Sequence, residues 1–579
     1  MKLSRLLSNT HKEWPADTVS KSHGFLVKGG YIRQVTSGIY SYLPLAQMIS
    51  LKIIKIIREE MNNIDCTEVL LPVVMPRELW EESGRYDSIS DELLRFEDRT
   101  GHGMVLGMTH EEAVVHLART EATTYTKYPF AVFQIQTKFR DEVRSRGGLI
   151  RTREFLMKDA YSFHTTQESL DEYYQKCYDA YFRIFKRVGL KNFIAVESDT
   201  GMMGGMGAHE FMLLCDIGED SLAICPNCGY SANVEVAKGI IEKNDTVAAD
   251  LIEEVDTPGV KTIEQLQELL SLPKERLIKA CVFDVAGSNK PLIVFIKGDL
   301  EVNEAKLKKV VNAEIKPRTA QENDGICYGF VGPMGLELNK FDVIYDISLK
   351  DGNNMVCGAN KLNKHLVGVN VKDLNVKEFK DIYKANADML CPICKEVHLN
   401  ISHGIEIGNI FKLGDKYTKA MHMTYTAANG KEETPIMGCY GIGVGRLMAS
   451  VLEEHNDDHG PIWPISIAPF CIHIIAIKYH DEKVNEYANK LYKELSLKYD
   501  VVLDDRDLSA GVQFADADLI GAPVRLIISA KSIANNEIEI VTRDKSVCKK
   551  VTTANIISEI ETIVDKLRKE YEKRIISEI

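Results

Sequence analysis

Residues 138–155 read Lys138-Phe139-Arg140-Asp141-Glu142-Val143-Arg144-Ser145-Arg146-Gly147-Gly148-Leu149-Ile150-Arg151-Thr152-Arg153-Glu154-Phe155. Six basic residues fall within sixteen positions of a chain whose acids outnumber its bases 84 to 71. The apolar flanks at 130–135 and 149–150 predict two antiparallel strands joined by a loop at 144–148. Such a hairpin can clamp a triphosphate, because a planar guanidinium meets phosphate oxygens two at a time. Phe155 then offers a stacking face. The same residues also describe a solvated charged hairpin, and this stretch alone leaves both readings open.

The chain has 579 residues, more than one hydrophobic core supports, so several domains are expected. With 45% hydrophobic and 27% charged residues it reads as a globular protein, neither disordered nor collagenous. A net charge of −13 excludes a protein held on nucleic acid by overall positive charge, but not a local basic surface. No apolar run approaches the ~18 residues of a membrane helix, and no cleavable leader is recognisable at the start. The 13 cysteines are odd in number and scattered, which fits a reducing cytoplasm.

Along the chain, apolar spacing predicts a helix over 45–61 just after Pro44, with Leu45, Ile49, Ile53, Ile56 and Ile57 on one face. From 229 to 390 a separate α/β unit is expected, with a helix capped by Thr262, a buried strand over 291–297 and a helix over 303–312. The last stretch alternates strands at 471–478, 501–503, 524–529 and 537–541 with helices at 482–497 and 512–520. That order predicts a mostly parallel sheet flanked by helices.

Two further clusters carry chemistry. Gly441-Ile442-Gly443-Val444-Gly445-Arg446 lacks the spacing of a dinucleotide fingerprint, and GxxxxGK[ST] is absent. It reads as a strand turning tightly into a helix with Arg446 at the turn. Thr109-His110-Glu111-Glu112 reads first as a helix start, with Thr109 as cap and Glu112 closing a capping box. The alternative is a carboxylate set to hold a substrate ammonium.

Together these stretches resemble a known family. TKFRDE at 137–142 with TREFLMKDAYSFH at 152–164 is similar to motif 2 of class II aminoacyl-tRNA synthetases, GCYGIGVGR at 438–446 to motif 3, and SGIYSYLPL at 37–45 to motif 1. LWEESGRY at 79–86, THEE at 109–112, SDTG and GAHEF within 198–211, and LDDR with FADADLIGAP within 503–523 narrow the resemblance to bacterial prolyl-tRNA synthetases. It covers essentially the whole chain. It implies an α/β and α+β multidomain protein with an antiparallel-sheet catalytic domain over 1–224 and 395–468. An α/β editing domain is inserted at 225–394, and an α/β anticodon-binding domain spans 469–579. The implied activity is ATP-dependent attachment of proline to tRNA(Pro), with hydrolytic editing of mischarged alanyl-tRNA(Pro), by a cytoplasmic homodimer using Mg2+ with ATP. A paralogue for another small amino acid, and a tRNA-binding deacylase that has lost activation, are the competing readings.

The resemblance also implies residue roles. Arg140 bridges the α-phosphate and the proline carboxylate, Glu142 meets the adenine amino group, and Phe155 stacks on the ring. Arg151 and Arg446 hold the outer phosphates, and Glu406 is the magnesium ligand. Thr109 and Glu111 receive the proline imino group, with Asp159, His209 and Cys439 as pocket walls. In the insert, Lys279, Gly332, Asp346 and His365 match editing positions. By themselves Lys279 reads as a strand-edge charge and His365 as a surface residue.

Cys225-Pro226-Asn227-Cys228 and Cys391-Pro392-Ile393-Cys394 stand at the two ends of the insert. Four thiolates suit a structural zinc. Inserted domains leave and rejoin their hosts at nearby points, so distant pairs can meet. Reduced thiols or a redox pair remain the alternatives.

Overall fold

Pro44 opens the helix Pro44–Asn62 at a position where its missing N–H has no intrahelical partner to lose. Leu45, Ile49, Ile53 and Ile57 are all buried in one core. Burying each such side chain contributes ~1.5–3 kcal/mol. Glu60 is buried on the same helix because Arg183 and Arg187 of the helix Gln167–Val188 meet it at 2.7 and 2.8 Å. The computed structural model describes residues 1–576 except 17, 90, 206, 243–245, 321–324 and 375. Its described residues divide into two units, one within 1–195, 200–219 and 404–576, the other within 196–199 and 220–403.

The first unit is organised by an antiparallel sheet. Its strands run in the order Gly207–Leu214, Asn400–Gly414, Ile436–Gly443, Glu154–His164 and Phe130–Phe139. Cys66–Glu68 adds in parallel to the last. Successive side chains point to opposite faces. Ala131, Phe133 and Ala160 therefore join the core under the helices. Tyr161, Phe163, Phe411, Met437 and Cys439 pack on the other side with Trp80 and Tyr417. The second strand of the 138–155 hairpin starts at Glu154, not at 149 as expected. Gly147 and Gly148 both have positive φ, +66° and +62°, so the chain turns there, and Leu149 drops into the core as an anchor.

The C-terminal part of this unit has Ile472–Ala476 between Val501–Asp504 and Val524–Ile528, parallel to both. Glu537–Thr542 and Cys548–Thr552 then add antiparallel. The expected mostly parallel sheet is thus mixed. The links after Ile528 and Thr542 are too short for the dozen or more residues of a parallel crossover, so the chain returns as hairpins. No helix among the described residues is long and apolar enough to cross a membrane.

His473 lies fully buried in the central strand, and among the described residues neither ring nitrogen has a partner. Burial holds its pKa well down, to about 3. The neutral ring is the folded form, whereas the unfolded chain takes a proton below pH ~6.5. Stability from this site is therefore complete above pH ~6.5 and falls by ~1.4 kcal/mol per pH unit below it. The loss levels off near the folded value of about 3. The urea midpoint of this domain should drop through that window, and His473→Leu should flatten the slope.

In the second unit, Ile278–Val285 is flanked by Ile315–Pro317 and Leu292–Lys297, followed by Asp342–Asp346 and Phe379–Lys380. Glu253–Asp256, Lys364–Val369 and Met355–Gly358 form a second small sheet. Thr262 caps Ile263–Leu270 as its sequence predicts, and Gln265 completes a capping box there.

Candidate active site and second cleft

The period of two in the hairpin strands decides which side chains meet. Lys138 lies opposite Phe155, Gln136 opposite Met157, Gln134 opposite Asp159, and Val132 opposite Tyr161. These residues share one face, and the register carries Cys439 and Gly441 onto it beside Tyr161 and Asp159. Arg140 continues that face, with its guanidinium 5.4 Å from the Phe155 ring centroid. Its Nε donates to the Met108 carbonyl at 3.4 Å. Among the described residues no carboxylate forms an ion pair with it. Burial lowers its pKa, while Glu406 acts in the opposite direction.

The other arginines are paired. Arg446 donates to the Ile150 carbonyl at 2.8 Å and pairs with Glu406 at 2.7 Å. Glu406 also accepts from Asn409 at 2.6 Å. Arg151 bridges Glu142 at 2.9 Å and Glu219 at 2.8 Å. Burial works against the Glu142 charge, but Arg151 outweighs it and holds the acid below its ordinary value.

Beside Arg140 lies a buried charge cluster. Thr109 does not cap the helix Glu111–Glu121, whose N-cap is His110 without a side-chain cap bond. Its hydroxyl instead accepts from Arg85 at 2.9 Å. The same Arg85 nitrogen reaches Glu111 at 3.3 Å and Glu112 at 3.1 Å. Trp80 and Tyr417 face the guanidinium at 4.9 and 5.5 Å. All three charged groups are buried. One cation serves two carboxylates, so the capping box gives way to a charge that helix 111–121 could not bury alone. Burial raises the pKa of Glu112, with Arg85 opposing. Burial pushes the pKa of the Cys439 thiol far up, and the Glu111 carboxylate adds to the rise.

Asp159 is held by Lys138 at 2.7 Å, Tyr161 at 2.7 Å and Gln134 at 2.9 Å. The sequence alone assigns no role to Arg85 or Lys138. Arg85 stands inside the LWEESGRY stretch, and Lys138 has the strand parity of Arg140, which were the available signals. His209, expected as a pocket wall, lies on the opposite face of the sheet. It pairs with Ile410 in register and meets Tyr174 at 2.7 Å and the Tyr178 ring on the helix side. Its neighbour Ala208 has the parity that faces the site.

The second unit contains a cleft of about 460 Å³ lined in part by Lys279, Asp299, Glu301, Gly329, Gly358 and His365. Lys279 pairs with Ile296 in the strand Ile278–Val285, whose other side is paired only over 283–285, and it binds Glu301 at 2.8 Å. His365 is buried, not on the surface, and its Nδ1 meets Thr257 Oγ1 at 2.7 Å. Burial lowers its pKa to about 4. Asp346 does not line the cleft; its oxygens accept from the backbone N–H groups of Ser348 at 2.8 Å and Ile382 at 3.0 Å. Gly332 is a backbone neighbour of the cleft, where a Cβ would meet the Gly358 carbonyl oxygen at 1.8 Å. Asp299, to which the sequence alone assigns no role, has a buried Oδ1 that finds no hydrogen-bond partner among the described residues.

The four cysteines of the two CPxC turns come together in this unit, with all sulfurs within 4.8 Å of one another.

A family model described as the tRNA synthetase class II core domain (G, H, P, S and T) matches residues 94–455, and an anticodon binding domain matches 471–563. The chain is 42% identical to the proline–tRNA ligase of Caldicellulosiruptor saccharolyticus, over 98% of this chain and 99% of that one. It is 40% identical to that of Kosmotoga olearia over 100% of both chains. Identity to that of Treponema denticola is 44%, over 93% of this chain and 95% of that one. The prolyl-tRNA synthetase of Cryptosporidium parvum, solved with halofuginone and AMPPNP, shares the fold at a TM-score of 0.56. That match covers 97% of this chain and 81% of the other at 12% identity.

Proposed function

The chain belongs to the proline–tRNA ligase family of class II synthetases, and from that premise we propose how its residues divide the work of activation and editing. The family's reaction joins proline to ATP and then to tRNA. A proline carboxylate oxygen attacks the α-phosphorus, the bond to the β-phosphate breaks, and pyrophosphate leaves. A ribose hydroxyl of the tRNA terminus then attacks the prolyl carbonyl, and AMP leaves.

Arg140 bridges carboxylate and α-phosphate. The observation that carries this role is its guanidinium, half-buried on the site face beside Phe155 and, among the described residues, in no ion pair with a carboxylate. A cation already in place stabilises charge as it develops on the phosphoryl oxygens. Phe155 stacks on the adenine, and Glu142 accepts from its amino group. Arg151 and Arg446 exchange their carboxylates for the outer phosphates. Glu406 offers a hard oxygen ligand suited to Mg2+, which neutralises phosphate charge when bound with ATP.

Thr109 and Glu111 receive the prolinium. Arg85 with Glu111 and Glu112 leaves one net negative charge in the cluster when both acids are ionised, which a cationic imino group neutralises. Asp159 and Cys439 wall that pocket. The exposed Leu51 on the helix Pro44–Asn62 and the exposed Leu70 support a homodimer contact there. The domain matching 471–563 takes the anticodon of tRNA(Pro). The 13 cysteines, none in a disulfide, fit the cytoplasm. The four-cysteine cluster is the place for a structural zinc.

Editing belongs to the cleft of the second unit. An activation pocket that admits proline cannot exclude the smaller alanine, because missing methylenes give only ~1–3 kcal/mol of discrimination. A second cleft selects by size in the opposite sense. Water attacks the ester carbonyl and the ribose oxygen leaves as a hydroxyl. Lys279 holds the adenosine end or the carbonyl, and neutral His365 orients the water or the ester. The test is deacylation of alanyl-tRNA(Pro). Wild type should clear it and spare prolyl-tRNA(Pro), whereas Lys279→Ala and His365→Ala should clear it slowly or lose that selectivity. Equal clearance by both variants would place editing elsewhere.

A further inference from the structure

The two CPxC segments are the same turn used twice. Cys225 Sγ accepts backbone N–H bonds from Asn227 and Cys228, both at 3.4 Å. Cys391 Sγ accepts one from Ile393 at 3.4 Å. Each turn ends in a left-handed residue, Gly229 at φ +76° and Lys395 at φ +62°. A lysine there is unusual, and its N–H is held by the Cys391 carbonyl at 3.0 Å. These turns aim both sulfurs of a pair at one point, and the pairs face each other. Cys225 lies 3.7 Å from Cys394, and Cys228 lies 3.5 Å from Cys391. A tetrahedron with ~2.3 Å zinc–sulfur bonds has edges of ~3.8 Å. Four soft thiolates select zinc over magnesium or calcium.

The cluster also backs the second cleft. Cys225 and Cys391 share a buried core with Ile296, Leu300 and Tyr383. Ile296 lies directly opposite Lys279 in the sheet. Leu300 precedes Glu301, the partner of Lys279 at 2.8 Å. Tyr383 follows Ile382, whose N–H is fixed by buried Asp346. The core that buries Cys225 and Cys391 is therefore the one that sets the wall carrying Lys279.

We propose that Cys225, Cys228, Cys391 and Cys394 hold one zinc ion, and that this ion maintains the shape of the cleft around Lys279 and His365. The second half rests on the editing reading. Binding converts four thiols to thiolates and releases their protons, with no change of redox state. The metal ties together segments 163 residues apart, holding both ends of this unit's long excursion in one place.

The experiment starts from full-length protein purified without chelators. About one zinc per chain is expected by atomic emission. Cobalt(II) put in its place should show the absorption bands of a tetrahedral sulfur site. Cys225→Ser with Cys391→Ser should lose the zinc and raise amide hydrogen exchange in 278–297. It should also slow alanyl-tRNA(Pro) deacylation about tenfold or more, with proline-dependent pyrophosphate exchange unchanged. Because the double variant could misfold, zinc is also withdrawn from folded wild type with a chelator and then restored; deacylation should fall and recover. Metal-free wild type, with the cysteines reduced or joined as disulfides, would overturn the site. Zinc loss that leaves deacylation and exchange protection intact would overturn the coupling. If the zinc-loaded wild type never clears alanine, the editing reading and the coupling fail together, while metal content and cobalt spectra still decide the site.

Discussion

Arg140→Ala is expected to abolish proline-dependent pyrophosphate exchange while leaving the chain folded. A pre-placed donor to a developing oxyanion is worth ~3–4 kcal/mol, a loss of two to three orders of magnitude in rate. Arg140 should cost at least that much, because one guanidinium is asked to meet both the carboxylate and the phosphate. The fold should survive for a structural reason. Among the described residues no acid forms an ion pair with Arg140, so removing it orphans no buried charge. Arg140 is half-buried, and partial desolvation of a cation without an acid partner is itself unfavourable, so the variant's melting temperature should not fall below that of wild type. Arg140→Lys should recover little activity, since a single ammonium cannot fork between two oxyanions. Near-normal exchange in Arg140→Ala would remove this residue from the chemistry.

Arg85→Ala should produce the largest loss of stability. Its guanidinium is buried against Glu111 and Glu112, which are buried as well. Removing one partner of a buried ionic set costs ~3–5 kcal/mol, because the remaining charges lose their compensation. Urea unfolding of the variant should show that deficit at neutral pH. The pH dependence distinguishes this cause from a simple packing defect. Burial already raises the pKa of Glu112 with Arg85 present. Without the cation, folded Glu112 holds its proton more tightly than the unfolded chain does. The folded variant then binds more protons, so its stability relative to wild type rises as pH falls into the carboxylate range. A deficit independent of pH would point to lost packing against Trp80 and Tyr417 instead. Proline KM should rise even where the variant remains folded, since Thr109 and Glu111 lose the group that holds them.

Local features were legible because their causes are local. The cap at Thr262, Pro44 at a helix start, and the strand-to-helix turn at Gly443 depend on a few adjacent residues. Strand alternation is also local, and it puts Gln134, Lys138 and Arg140 on one face. The misreadings came from competition at a distance. Thr109 has the sequence of a cap, but Arg85 takes its hydroxyl. Leu149 has the sequence of a strand residue, but two left-handed glycines and a core contact turn the chain there.

By itself the sequence determined the class of this protein, the alternation that puts Lys138 and Arg140 on one face, and the spacing of its two cysteine pairs. All of these depend on residue identity and short spacing. Only the tertiary structure decided which charges are buried and paired. It brought Arg85 to Glu111 and Glu112, Lys138 to Asp159, and Cys225 to Cys394 across 169 residues. It turned His209 away from the site through its pairing with Ile410. Electrostatic energy depends on the distance and dielectric between groups, and both are set by chain closure over separations that local spacing does not encode.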